Sequence, residues 1–203
     1  MTKPEIEISF EYDAEEGIAS AESWYLSACE LIFVQRQLEK QIFSILKYPK
    51  DVEAIFLSQK HVDIGFRPLD AVGGLSRVYM YTSGVVFENL TKCILVHTAP
   101  ELINELMGPK GHNLPHLLRA CGFELNEEET SSFSRLSAYV VWAGKYACPK
   151  IKKNEISAGT ISFATEDIDF INLWVSHLNE VANEVVYREK IGMESSASAK
   201  TGP

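Results

Sequence analysis

The sequence predicts an all-α fold, an antiparallel helical bundle of four to five main helices, with a minor N-terminal strand whose partner is the stretch near residues 160–165, the helices beneath it or a second subunit. Two observations carry this prediction. Apolar residues recur at steps of three, four and seven along most of the chain, which is typical of amphipathic helices. Alternation of apolar and polar residues, which is typical of a half-buried strand, is confined to residues 5–13 and a short stretch at 160–165. Long helices joined by short connections usually pack nearly antiparallel.

The N-terminal segment, residues 1–16, is predicted to be an acidic arm that contains the strand. Residues 1–22 hold one lysine and seven acidic residues, so they contribute −6 of the chain's net charge of −9. The rest of the chain is therefore close to neutral. The acidity argues against nucleic acid binding to the arm, because such binding draws on clustered Lys and Arg, but it leaves the body of the protein open to it.

The helical bundle is predicted to span residues 17–193, with no second domain. Its first helix runs from about Ala19 to Leu46, and Trp24 belongs to the apolar stripe of that helix. Residues 65–74 are interpreted as a connection, because one proline and several glycines punctuate them. The second long helix is expected over about Leu75–His97.

The later helices are predicted from their capping residues. Asn113 is expected to cap a short helix over Leu114–Ala120, which Gly122 ends. Asn126 begins the next helix, with three glutamates at its positive end. The last helix opens near Glu166, and residues 194–203, which are small and polar, are predicted to be a disordered tail.

Several functional classes are disfavoured by composition. No apolar stretch approaches the length that crosses a bilayer, and the acidic N-terminus does not resemble a signal peptide. The four cysteines are scattered without a C-x-x-C pair, which is typical of reduced thiols in a cytosolic protein. We therefore expect a cytoplasmic protein with no membrane contact, no metal site and no cofactor. Glycine-rich phosphate loops and the common hydrolase motifs are absent from the sequence.

The most polar region of the chain is residues 108–119. His112 stands at the start of a predicted helix with Lys110 two residues before it, an arrangement that suits a general acid, a general base or a phosphate contact. The alternative is that Asn113 only caps the helix, His112 fills the turn and Lys110 is solvated.

Two further groups of residues are candidates for a binding site. Glu88 and Lys92, four residues apart on the second long helix, form either a polar pocket inside the bundle or a surface ion pair. Lys145 lies in a basic cluster near a helix C-terminus, where lysines complement the helix dipole. With the adjacent Tyr146, the same cluster suits a nucleotide base or single-stranded nucleic acid.

Together, three pieces of the sequence resemble the HEPN superfamily (higher eukaryotes and prokaryotes nucleotide-binding). The pieces are Glu88 with Lys92, residues 111–118 (GHNLPHLL), and residues 139–146 (YVVWAGKY) followed by Pro149, and the run that contains them, Val85 to Lys150, covers about a third of the chain. The resemblance implies a compact helical bundle of the kind found in bacterial defence and toxin–antitoxin systems. Catalytic members resemble one another in an Arg-x4-6-His motif that forms a metal-independent ribonuclease site, often shared across a dimer.

This chain departs from the ribonuclease motif. No arginine stands at the required spacing before any of its histidines, and His97 has Lys92 five residues before it. Lysine does not reproduce the bidentate contact of arginine with phosphate.

Two hypotheses follow. The first is a non-catalytic HEPN-like bundle that binds a protein partner or a nucleotide and forms a homodimer. The alternative is a divergent metal-independent ribonuclease or nucleotide-acting enzyme. It would use His112 as acid or base, and its phosphate- or nucleotide-binding residues would be Lys110, Asn113, Lys145, Tyr146, Lys92 and Glu88.

Overall fold

The computed structural model describes residues 20–48, 68–102, 109–143 and 163–200, and in these ranges the protein is all-α, as the sequence predicts. No strand occurs within them. The predicted N-terminal strand lies outside the described residues, as do residues 160–162, while Phe163 and Ala164 are irregular and Thr165 is in a turn. The helices are α1 (Ala21–Lys47), α2 (Pro68–Thr98), α3 (Leu114–Ala120), α4 (Glu127–Ala138) and α5 (Glu166–Lys200), with 3-10 turns at Pro100–Leu102 and Pro109–His112 and a π-helical turn at Tyr139–Ala143.

Helix α2 is the centre of the bundle, and the other four helices all pack against it. Helices α1 and α5 lie side by side and run antiparallel. Lys190 near the end of α5 pairs with Glu22 near the start of α1, with 2.6 Å between nitrogen and oxygen. Farther along, the Arg36 guanidinium donates to Asn172 at 2.7 Å. These contacts join the two helices at both ends of their overlap.

The start of α2 corrects the sequence prediction. Residues 68–74 were expected to belong to a connection, but the helix begins at Pro68. Proline is tolerated in a first helical turn, where its missing N–H has no partner to lose. Gly73 and Gly74 are then interior helical residues, each of which costs about 1 kcal/mol relative to alanine. The extensive burial of α2 beyond them offsets this cost.

The predicted caps of α3 and α4 are confirmed. The Asn113 side chain accepts a hydrogen bond from the backbone of His116 at 3.2 Å, and Gly122 after α3 has a φ of +87°, which glycine adopts readily. Asn126 and Glu129 form a reciprocal capping box at the start of α4. Helix α5 begins at Glu166 as expected, but it continues as far as Lys200, into the predicted tail; residues 193–200 contain neither proline nor glycine to stop it.

An aromatic cluster holds α4 between α2 and α5. The Phe133 ring makes edge-to-face contacts with Phe87, Phe170 and Trp174 at centroid distances of 5.1, 5.2 and 5.1 Å. One turn before Phe87, Gly84 lets the π-helical turn approach α2 closely, because a Cβ there would lie 2.4 Å from a methyl group of Val140. The cluster therefore fixes the part of α2 that carries the candidate site.

Candidate functional site

Glu88 and Lys92 form an ion pair inside the bundle. The Lys92 ammonium lies 2.5 Å from Oε1 of Glu88, and the two side chains are only 5% and 9% exposed. The pair therefore lies inside the bundle and not on its surface. Charged groups at this depth need partners, since an unpaired buried charge is costly.

His112 joins this pair from the other side of the carboxylate. Nδ1 of His112 lies 2.8 Å from Oε2 of Glu88, while 43% of the His112 side chain remains exposed. The 3-10 turn Pro109–His112 brings the ring to α2. The start of α3 is held by the Ser137 hydroxyl, which accepts from the backbone N–H of Leu114 at 2.9 Å.

The geometry defines how the imidazole is oriented. A carboxylate only accepts hydrogen bonds, so the contact requires the proton on Nδ1. Nε2 of His112 makes no hydrogen bond within the described part of the chain. A histidine held through one ring nitrogen by a carboxylate presents the other nitrogen to a ligand or a reacting group, as in many acid–base sites.

Trp24 completes the cluster from α1, and sequence reasoning missed this role. The Lys92 ammonium sits 4.9 Å from the centroid of the Trp24 ring, within the range of a cation–π contact. The sequence placed Trp24 in the apolar stripe of α1, which gave no sign of a contact with a lysine on another helix. The available signal was an aromatic residue, Trp24, on the helix that precedes the one carrying Lys92.

The other predicted site residues are placed differently. Lys110 is exposed, two residues before His112. Asn113 is also exposed, and its side-chain oxygen is committed to the cap of α3. Lys145 and Tyr146 lie outside the described residues. The structure thus brings together Glu88, Lys92 and His112, and Lys110 and Asn113 are neighbours of His112 in the chain.

The described cysteines are free thiols, and two of them are poor candidates for a nucleophile. Burial raises the pKa of both Cys93 and Cys121 to about 12. Since the thiolate is the nucleophilic form, these two side chains are unreactive at neutral pH. The chemistry of the site therefore rests on the polar cluster.

None of the described helices is long and apolar enough to cross a membrane. The same residues contain no cluster of three or more histidine, cysteine or carboxylate side chains placed to hold a metal ion.

No protein-family model matches the chain, and no curated protein or solved structure is significantly similar to it. Membership of the HEPN superfamily therefore stays a prediction from the sequence.

Proposed function

We propose that this protein is a non-catalytic, HEPN-like helical bundle that binds a nucleotide at the site formed by Glu88, Lys92 and His112. The observation that carries the proposal is the half-exposed imidazole of His112, held through Nδ1 by a buried carboxylate, with Nε2 left for a ligand. Lys110 is the exposed cation closest to His112 in the chain and supplies a phosphate contact. The defence or toxin–antitoxin context that the resemblance implies belongs to the same proposal, as do a protein partner and a cytoplasmic location.

The state of Lys92 favours binding over cleavage. No arginine stands at the spacing of the ribonuclease motif before His112, and Lys92 is the cation that shares the Glu88 carboxylate with it. Its ammonium is buried, paired with Glu88 and covered by Trp24, so it does not reach a phosphate in solution. Among the described residues, the buried cation of this site is thus committed to Glu88, and a cation available to phosphate is a main source of the electrostatic stabilisation of phosphoryl transfer.

Isothermal calorimetry with mononucleotides and a short RNA tests the proposal. The wild-type protein is expected to bind, and His112→Ala and Lys110→Ala are each expected to weaken binding about tenfold, the loss of one charge-assisted hydrogen bond. His177→Ala is the matched control, because His177 is an exposed histidine on α5. No binding by the wild type, or equal binding by His112→Ala, overturns the proposal.

The second candidate function is cleavage of RNA, and the Glu88–His112 contact favours it. A carboxylate that orients histidine and leaves Nε2 without a proton is the arrangement of a general base. Gel analysis of the same RNA separates the two functions. If the protein is a nuclease, the wild type and His177→Ala cleave and His112→Ala does not; if it only binds, all three leave the RNA intact.

The homodimer is a further part of the proposal. Large apolar side chains are exposed on the outward faces of α1 and α5, among them Phe33, Leu173 and Tyr187. Light scattering coupled to size exclusion is expected to give the mass of a dimer for the wild type and of a monomer for Phe33→Glu. Val78→Glu, an exposed apolar residue on α2, is the control. A monomeric wild type contradicts this part of the proposal.

A further inference from the structure

A second group of buried polar side chains lies between α1 and α2, outside the candidate site. It consists of Gln35 on α1 with Tyr79 and Ser83 on α2, and all three residues are fully buried. The Gln35 amide nitrogen donates to the phenol oxygen of Tyr79 at 3.5 Å, longer than the usual separation of about 2.9–3.0 Å. The amide oxygen, Oε1 of Gln35, is buried and has no hydrogen-bond partner within the described part of the chain. We infer that this cluster binds one water molecule, which donates to Oε1 of Gln35 and accepts from the Tyr79 hydroxyl.

The position of Gln35 in α1 makes its amide exceptional. The buried residues of this helix include Ala21, Ala28, Gln35 and Ile42, which recur every seven residues and form the seam that faces the bundle. Gln35 is the one polar residue in that repeat. Buried amides are nearly always hydrogen-bonded, because the bonds to water that burial removes have to be replaced. The unpaired Oε1 therefore indicates a hydrogen-bond donor that is not part of the described chain.

The hydroxyl groups next to the amide determine what that donor bonds to in turn. The Ser83 hydroxyl donates to the backbone oxygen of Tyr79 at 2.8 Å, so its proton is already used. Burial raises the pKa of the Tyr79 phenol to about 12, and the phenol therefore keeps a proton to donate at neutral pH. The Ser83 hydroxyl also lies close enough to the phenol to affect its pKa. The cluster thus offers one donor, the Tyr79 hydroxyl, and two acceptors, Oε1 of Gln35 and the oxygen of Ser83.

A water molecule matches this set of groups. It accepts one hydrogen bond from Tyr79 and donates two, one to Oε1 of Gln35 and one to Ser83, and buried waters typically make about three hydrogen bonds. Because the three residues are closed off from solvent, the smallest polar molecule fits them best. The water lets an amide occupy a position of the α1 seam that its neighbours in the repeat fill with apolar side chains. This role is independent of nucleotide binding.

A crystal structure of the full chain, at a resolution that shows ordered waters, tests the inference without any variant. The expected result is a water molecule within hydrogen-bond distance of both Oε1 of Gln35 and the hydroxyl oxygen of Tyr79. The absence of a water at this place overturns the inference, whether the Gln35 amide then bonds only to protein groups or to none.

Oxygen-17 relaxation dispersion of the solvent, which counts long-lived internal water molecules, tests the same point in solution. Gln35→Met keeps the length of the side chain without its amide and is expected to hold one long-lived water fewer than the wild type. Thr91→Val is the matched control, because Thr91 is equally buried on α2 and its hydroxyl donates within its own helix; it should retain the wild-type number. Equal numbers in folded Gln35→Met and the wild type overturn the inference. The same loss in Thr91→Val overturns it too, since the water would then not belong to this cluster.

Discussion

Two ion pairs of the same spacing lie in opposite environments in this molecule. Glu88 and Lys92 on α2 and Glu184 and Arg188 on α5 are both acid–base pairs four residues apart. The first has side chains 9% and 5% exposed, and the second has side chains 62% and 67% exposed. Spacing on a helix therefore predicts that two side chains form an ion pair, whereas the packing of the helix determines whether that pair is buried or exposed.

The energetic consequences of the two pairs differ accordingly. An exposed helical pair contributes only about 0.3–0.5 kcal/mol, because water screens both charges. Removing one partner of a buried pair costs about 3–5 kcal/mol, because it strands the other charge away from water. Glu88 has a second partner in His112, so the buried pair is in contact with a side chain that is 43% exposed.

The largest expected effect comes from Lys92→Met. This change leaves the Glu88 carboxylate with one partner, and we expect it to lower the free energy of unfolding by about 3 kcal/mol, the low end for a broken buried pair. Urea unfolding followed by circular dichroism measures it. A loss below about 1 kcal/mol, the size of an exposed pair, would show that water reaches this pair and that the contrast between the two sites is false.

A pair of glycines on α2 offers the same comparison without charge. At Gly84 a new Cβ would meet Val140 at 2.4 Å and the backbone oxygen of Leu136 at 3.2 Å. We expect Gly84→Ala to destabilise the protein by about 2 kcal/mol through overpacking. Gly73 on the same helix has open space around it, so Gly73→Ala should stabilise by up to about 1 kcal/mol through helix propensity. Thermal unfolding of both variants tests whether the space around each glycine determines if alanine stabilises or destabilises the protein. A loss of stability in both variants would contradict this expectation.

Trp24→Leu is expected to have a smaller effect. It removes the aromatic face above the Lys92 ammonium but keeps an apolar side chain in α1, and a partly desolvated cation–π contact contributes about 1–2 kcal/mol. Trp24→Phe retains an aromatic face and should recover part of the loss. Equal losses in the two variants, measured by urea unfolding, would assign the role of Trp24 to packing volume alone.

Arg188→Met should have the smallest effect, below about 0.5 kcal/mol, as for exposed pairs on helices. The effect should also shrink in high salt, because screening weakens exposed charges first. Unfolding of the wild type and the variant at low and high sodium chloride provides the measurement. A large and salt-independent loss would place this pair in the same class as the buried one.

Most of the fold could be predicted from the sequence, because the features that define its helices are local in the chain. The period of the apolar residues located α1 and the core of α2, and asparagine caps located the starts of α3 and α4. The predicted start of α2 was wrong because a proline such as Pro68 occurs both in connections and as the first residue of a helix. The packing of residues downstream decided between them, and local chemistry does not contain that information.

The candidate site was only half predictable. Glu88, Lys92 and His112 were all singled out by residue type and position, but whether the ion pair was buried remained open. The contact between Glu88 and His112 joins residues 24 positions apart, and the contact of Lys92 with Trp24 joins two helices. Such contacts depend on how helices pack, which the periodicity of each helix constrains only weakly.

The most direct test of the account follows the ring nitrogens of His112 while a nucleotide is added to the wild-type protein. We expect the NMR signal of Nε2 of His112 to move as the ligand binds, while the ring signals of the exposed His97 stay in place. A His112 signal that does not respond to saturating nucleotide, or one that moves no more than that of His97, would contradict the assignment of this cluster as the binding site.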